Sequence, residues 1–211
     1  MQSAIDQANA AFWDELCGTQ LAQTLGITDT SPASLLRFDD WYFGFYPYLR
    51  RHIPFASLRD RDVLEAGLGY GSVAQRIVES GARYVGLDIA AGPVAMVNER
   101  IRRVGGRGHA QVGSILEAPL ADGSFDHVVA IGSLHHTGDL PRAIAECHRL
   151  LRPGGQLTFM VYYAYSYRRW VQAGRETLKH WLRERLGRAQ VEVVRAADAS
   201  HRGAYDINSA G

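Results

Sequence analysis

Residues 63–72 read VLEAGLGYGS. An apolar pair runs into an acid, Glu65, and glycines follow at alternate positions, Gly67, Gly69 and Gly71. The residues before them, DVLEAG, suit a short apolar strand, and SVAQRIVESG after them suits a helix closed by Gly81. Strand, glycine turn and helix together make a ligand seat. Gly67 can take backbone angles barred to other residues, and Gly69 lets the chain approach a ligand closely. The helix then points its free N–H groups at any anion nearby. A dinucleotide turn has the spacing G-x-G-x-x-G. Counted from Gly67, its third glycine would fall at Ser72, whereas this chain has it at Gly71. Glu65 would also repel a pyrophosphate, and it suits an ammonium group, directly or through water. The turn therefore predicts a cofactor with a cationic end and no pyrophosphate, which argues against a nicotinamide dehydrogenase.

The rest of the chain alternates in the same way. RYVGLDI reads as a second strand, GHAQVGSI as a third, FDHVVAIG as a fourth and QLTFMVYY as a fifth. Between them, Val94, Val97, Ile101 and Val104 mark one face of a helix, and PRAIAECHRLL opens another with Pro141. Strands alternating with helices predict an α/β fold: a doubly wound, mostly parallel, Rossmann-like sheet covered on both faces. Three regions follow. Residues 1–56 form an N-terminal segment of helices and loops. Its aromatic run from Trp41 to Tyr48 is either a lid over an acceptor or a helix packed on the sheet edge. Residues 57–165 form the core. Residues 166–211 hold a basic amphipathic helix, over about 166–188, and a polar tail. The apolar side of that helix, Trp170, Leu178, Trp181, Leu182 and Leu186, is expected to pack on its own domain. An anionic membrane surface or substrate is the alternative.

Composition narrows the function. A chain of 211 residues suits one domain with a small appendage, and 46% apolar with 21% charged residues is ordinary for a soluble protein. A formal net charge of +1 gives no general attraction to nucleic acid. Cys17 and Cys147 carry neither metal spacing nor a disulfide framework, so no metal is expected and a reducing, cytoplasmic location is. No signal peptide or membrane span is visible.

The pattern E-x-G-x-G-x-G from Glu65 resembles motif I of the class I S-adenosylmethionine-dependent methyltransferases. Asp88 ends the second strand about twenty residues after the glycines, where an acid accepts both ribose hydroxyls. Its alternative role is capping the helix that begins in AAGPVAMV. GSILEAPLADGSFDHVVAIGSLHH and AIAECHRLLRPGGQL are similar to consecutive blocks of the ubiquinone-biosynthesis-like methyltransferases, and FWDELCGT resembles an N-terminal block in one branch of them. The resemblance implies S-adenosyl-L-methionine as cofactor, seated by Glu65, Gly67, Gly69, Gly71, Asp88, Ile89, Ser114, Ile115 and Ile131. Ser114 stands where the family often has an acid for the adenine amino group, and its hydroxyl makes a weaker acceptor. His135 and His136, just after the fourth strand, are candidate general bases, the alternative being that they only shape the pocket.

The implied activity is methyl transfer to an oxygen, nitrogen or carbon nucleophile of a small molecule. The alternative is a module that binds S-adenosylmethionine or S-adenosylhomocysteine without turnover. No acceptor motif of the Asn-Pro-Pro-Tyr type points to nucleic acid. The family sheet has seven strands, and fewer than fifty residues follow QLTFMVYY. The sequence therefore looks truncated, or its sheet short, with the fifth strand at an edge.

Overall fold

The computed structural model describes residues 31–162 and 167–186, with residues 6, 7, 9–11, 14, 25–27 and 29 before them. Cys17, most of FWDELCGT and the tail from residue 187 lie outside the described residues. Helix α1 (Pro32–Phe45) starts where a helix should. Ser31 accepts the Ser34 N–H, and Pro32 takes the first turn. Helix α2 (Leu49–His52) leads to the sheet. There follow β1 (Asp62–Ala66), α3 (Ser72–Glu79), β2 (Arg83–Asp88), α4 (Ala91–Val104), β3 (Arg107–Val112), β4 (Phe125–Ile131), α5 (Leu140–Leu150), β5 (Leu151–Met160) and α6 (Tyr167–Arg185).

The five strands lie in the order β3-β2-β1-β4-β5, and every pair is parallel. This is the expected α/β sheet. Side chains alternate across it. On one face Val63, Tyr84, Ala110 and Val129 meet Val73 and Ile77 of α3 and Val97 and Ile101 of α4. On the other, Leu64, Ala66, Leu87, Val128 and Ala130 meet Ala143, Cys147 and Leu150 of α5. Cys147 is a core residue, and burial pushes its thiol up to about 11. The chain winds outward through β1, β2 and β3, then returns to β4 on the other side of β1. Where strand order reverses, loops at the carboxyl ends of β1 and β4 splay apart and leave a crevice.

Three local expectations need correction. The fifth strand starts at Leu151, not Gln156, and ends at Met160, not Tyr163. Leu151 pairs with Phe125 and Gln156 with His127, so residues 152–155 bulge opposite Asp126. Arg152 pins the bulge through ion pairs of 2.8 Å to Asp62 and 2.9 Å to Asp126. The third strand ends at Val112 because Ser114 caps a short turn over Ile115–Glu117. In α6 the apolar side is not packed away: Trp170, Leu178, Leu182 and Leu186 are exposed, and Arg185 lies over the Trp181 ring at 4.3 Å. In the five-stranded sheet β5 is an edge strand, as expected.

Candidate cofactor cleft and active site

The glycine turn sits over the crevice. Gly67 has φ +83°, and a Cβ there would lie 2.2 Å from Ser133 Cβ. Ser133 reaches back to donate its hydroxyl to the Ala66 carbonyl. The loops after β1 and β4 thus clasp at the floor, and only glycine fits between them. Gly69 has φ +49°, with open space where its Cβ would be, so its backbone faces the cleft. Gly71 is the N-cap of α3 and packs on Val97 and Arg100, away from the cleft lining.

Asp88 ends β2 beside that turn, buried but facing the cleft. Its Oδ2 accepts the Leu68 N–H at 2.7 Å and its Oδ1 the Ala90 N–H at 2.9 Å. The N-cap of α4 is Ala90, so Asp88 ties two loops together and does not cap the helix in the usual position. Each carboxylate oxygen has a second lone pair, which leaves capacity for a pair of hydroxyls. Burial raises the Asp88 pKa against the lowering effect of those N–H donors.

Glu65 lies deeper, on the face of β1 that carries Val63. Gly86 stands opposite it across the β1–β2 register. With no side chain at Gly86, the Tyr84 phenol passes through that gap and donates to Glu65 Oε2 at 2.7 Å. Burial, with the Asp88 charge adding to it, pushes the Glu65 carboxyl up to about 8, although Tyr84 and Arg100 pull the other way. Burial thus favours the protonated form of Glu65 near neutral pH.

A second buried cluster braces the seat from behind. Arg100 of α4 makes two 2.9 Å bonds to Asp39 of α1, and Ser72, the first residue of α3, donates to the same carboxylate at 2.6 Å. Three helices meet at one ion pair just below the glycine turn.

The cleft and the open solvent at its mouth together span about 1420 Å³. Of the residues singled out in the sequence, Glu65, Gly67, Gly69, Asp88, Ile89, Ser114, Ile115, Ile131 and His136 line it, and Gly71 and His135 do not. Ser114 Oγ already accepts the Leu116 N–H at 3.2 Å, and it can still donate or accept once more. His136 faces the cleft while His135 packs behind it, ring centroids 4.0 Å apart, against Tyr162. Burial lowers both, His135 to about 4 and His136 to about 3, so both are neutral at pH 7.

Sequence reasoning left out Phe38, Tyr70, Met160, Tyr162, Asp6 and Asn9, all of which line the cleft. Phe38, Tyr42 and the C-cap residue Tyr46 recur every four residues, so α1 and its cap turn one aromatic face to the cleft. Phe38 stacks on Tyr70 of the glycine turn at 4.1 Å. Tyr46 and Tyr162 hydroxyls meet at 2.9 Å, and Asn9 donates to the His136 carbonyl at 2.6 Å. The four-residue spacing in α1 was a usable signal for its face. Asp6 and Asn9 gave none.

Residues 64–159 match the family described as "Methyltransferase domain". That span runs from the middle of β1 to the end of β5 and takes in the glycine turn, Asp88 and the β4 loop. Over that span the chain is similar to methyltransferase domains. The domain is 44% identical over 95 residues to a protein of Mycolicibacterium smegmatis named "Probable S-adenosylmethionine-dependent methyltransferase", covering 45% of this chain and 35% of that one. It is 31% identical over 103 residues to the ubiquinone biosynthesis O-methyltransferase of Pseudomonas paraeruginosa, covering 48% and 44%. Among solved structures, the YcgJ protein of Bacillus subtilis superposes with a TM-score of 0.52 at 25% identity, covering 56% of this chain and 51% of that one. The chain thus spans less than half the length of these two curated relatives. Among the described residues no group of His, Cys, Asp and Glu is placed to hold a metal ion, and no helix is long and apolar enough to cross a membrane.

Proposed function

We propose that this protein is an S-adenosylmethionine-dependent methyltransferase that moves a methyl group to an oxygen, nitrogen or carbon nucleophile of a small molecule. One observation carries the reading. A buried carboxylate at the end of β2, a glycine turn open to the cleft and a deeper carboxyl group all converge on one crevice at the sheet's switch point. Asp88 would hold the ribose hydroxyls and Glu65 the ammonium group. Ser114 would meet the adenine amino group, between Ile89 and Ile115. Backbone N–H groups of the glycine turn and of α3 are the donors on offer to the cofactor carboxylate.

When bound, S-adenosylmethionine supplies an electrophilic methyl on a sulfonium sulfur. The protein's own work is placement. Ile131, Met160 and the aromatic face of α1 wall the rest of the cleft and keep water from the reacting centre. His136 is uncharged at neutral pH, and the burial that lowers it to about 3 makes it a weak base, so its role is to shape the pocket and hydrogen-bond an O–H or N–H acceptor. His135 backs it, a positioning role.

The test is transfer of tritiated methyl from S-adenosylmethionine to fractionated cell extract. Labelled product in a small-molecule fraction, accompanied by S-adenosylhomocysteine, is expected. Tight cofactor binding with no transfer to any fraction would replace this reading with a binding module that lacks turnover.

A further inference from the structure

The described lining of the cleft is mostly aliphatic and aromatic, with a few hydroxyls, one amide and three acids. Among its described lining residues are three carboxylates, Asp6, Glu65 and Asp88, and no Lys or Arg. Glu65 and Asp88 belong to the proposed cofactor half. In the other half Asp6 and Asn9 come from the N-terminal segment, beside Tyr42 of α1, its C-cap Tyr46 and Tyr162 after β5. The sequence extends the pattern. Residues 1–36 contain no Lys, Arg or His, and hold four acids, Asp6, Asp14, Glu15 and Asp29. At the chain's average of 23 Lys and Arg in 211 residues, about four would fall in that stretch. The segment that supplies Asp6 and Asn9 to the cleft is the one that lacks basic side chains.

An anion entering such a space gives up its water and meets no Lys or Arg among the described lining residues in return. An unpaired buried charge is among the most costly arrangements in a protein. A ring finds the reverse. The Phe38, Tyr42 and Tyr46 faces offer stacked and edge contacts. The joined Tyr46 and Tyr162 hydroxyls, 2.9 Å apart, offer a polar point that a neutral oxygen or nitrogen can share. A cation is tolerated by the same rings and attracted by Asp6. The methionyl carboxylate of the cofactor does not contradict this, because backbone N–H groups of the glycine turn and of the N-terminus of α3 would serve it.

We infer that this half of the cleft selects a methyl acceptor without negative charge: an uncharged or cationic molecule bearing a ring, to the exclusion of carboxylates and phosphate esters. The inference rests on the methyltransferase reading and adds the chemical class of its acceptor.

The experiment is calorimetry on the protein saturated with S-adenosylhomocysteine. Hydroxycinnamic acid and hydroxynaphthoic acid are each titrated against their own methyl esters, with tyramine as the cationic probe. The esters or tyramine should bind about tenfold or more tighter than the acids. Asn9→Lys, which places a cation among the rings, should shrink that preference to about threefold or less, a change that loss of packing alone would not produce. Acids that bind the parent protein as well as their esters overturn the inference, and so does a panel in which nothing binds. Failure of S-adenosylhomocysteine itself to bind would strike the methyltransferase reading instead.

Discussion

Glu65 is the residue at which charge, burial and ligand meet. Its carboxyl is held up at about 8 in the fold, chiefly by burial, against an ordinary value of 4.5. Between those two values the unfolded chain has released the proton and the native state has kept it. The stability Glu65 contributes is therefore full below about pH 4.5 and is lost as pH rises toward about 8. In urea melts, the wild type should lose ground steadily to Glu65→Gln across that window. A difference that stays constant with pH would mean that Glu65 is ionised in the empty cleft. A saturating ammonium-bearing ligand should flatten the slope, because it favours the carboxylate. Asp39 makes a second residue-scale case. Its pair with Arg100 is almost wholly buried, side chains 7% and 3% exposed. Removing one partner strands the other charge, so Asp39→Ala should cost about 3–5 kcal/mol of unfolding free energy. A loss under about 1 kcal/mol would mark the pair as surface-like. Glu65 and Asp88 were legible from their distance to the glycines. Their partners were not, because Tyr84 reaches Glu65 only through the β1–β2 register, and Arg100 reaches Asp39 across 61 positions of sequence.

At the scale of elements, the sequence was most readable where burial imposes a period. Val94, Val97 and Ile101 announced α4, and the apolar runs announced each strand. Boundaries set by single contacts were less readable. The early start of β5 depends on Arg152 finding Asp62 and Asp126, residues that pattern alone does not bring together. α1 illustrates both sides: its aromatic run was visible, but which face meets the cleft depends on Phe38 stacking on Tyr70. Helix α6 was misjudged because an apolar stripe records a capacity for burial and not the burial itself. The two helix types should respond in opposite ways. Leu182→Ser, at a side chain 45% exposed, should change stability by no more than about 0.5 kcal/mol. Ile77→Ala, at a fully buried position of α3, should cost about 2–5 kcal/mol. Urea titration of the two variants decides it. Similar losses would mean that the α6 stripe is covered in solution.

For the whole molecule, the deciding feature is topology. Strand order reverses between β1 and β4, and the same reversal that opens the crevice brings Glu65 and Asp88 to it from the ends of β1 and β2, and Ser114 and His136 from the loops after β3 and β4. The parallel order follows from the alternation of strands and helices, so the general place of the site was legible. The acceptor half was not, since Asp6 and Asn9 come from a segment without a recognisable pattern and Tyr162 read as part of the fifth strand, which ends at Met160. The most direct test of the account is a calorimetric titration of the protein with S-adenosylhomocysteine and, separately, with NAD, repeated on Asp88→Ala. The account predicts saturable binding of S-adenosylhomocysteine and none of NAD. It also predicts a loss of about 1.5–3 kcal/mol in Asp88→Ala, the scale of hydrogen bonds to a charged group. Binding of NAD in preference, or an Asp88→Ala variant that holds S-adenosylhomocysteine as tightly as the parent, would contradict it.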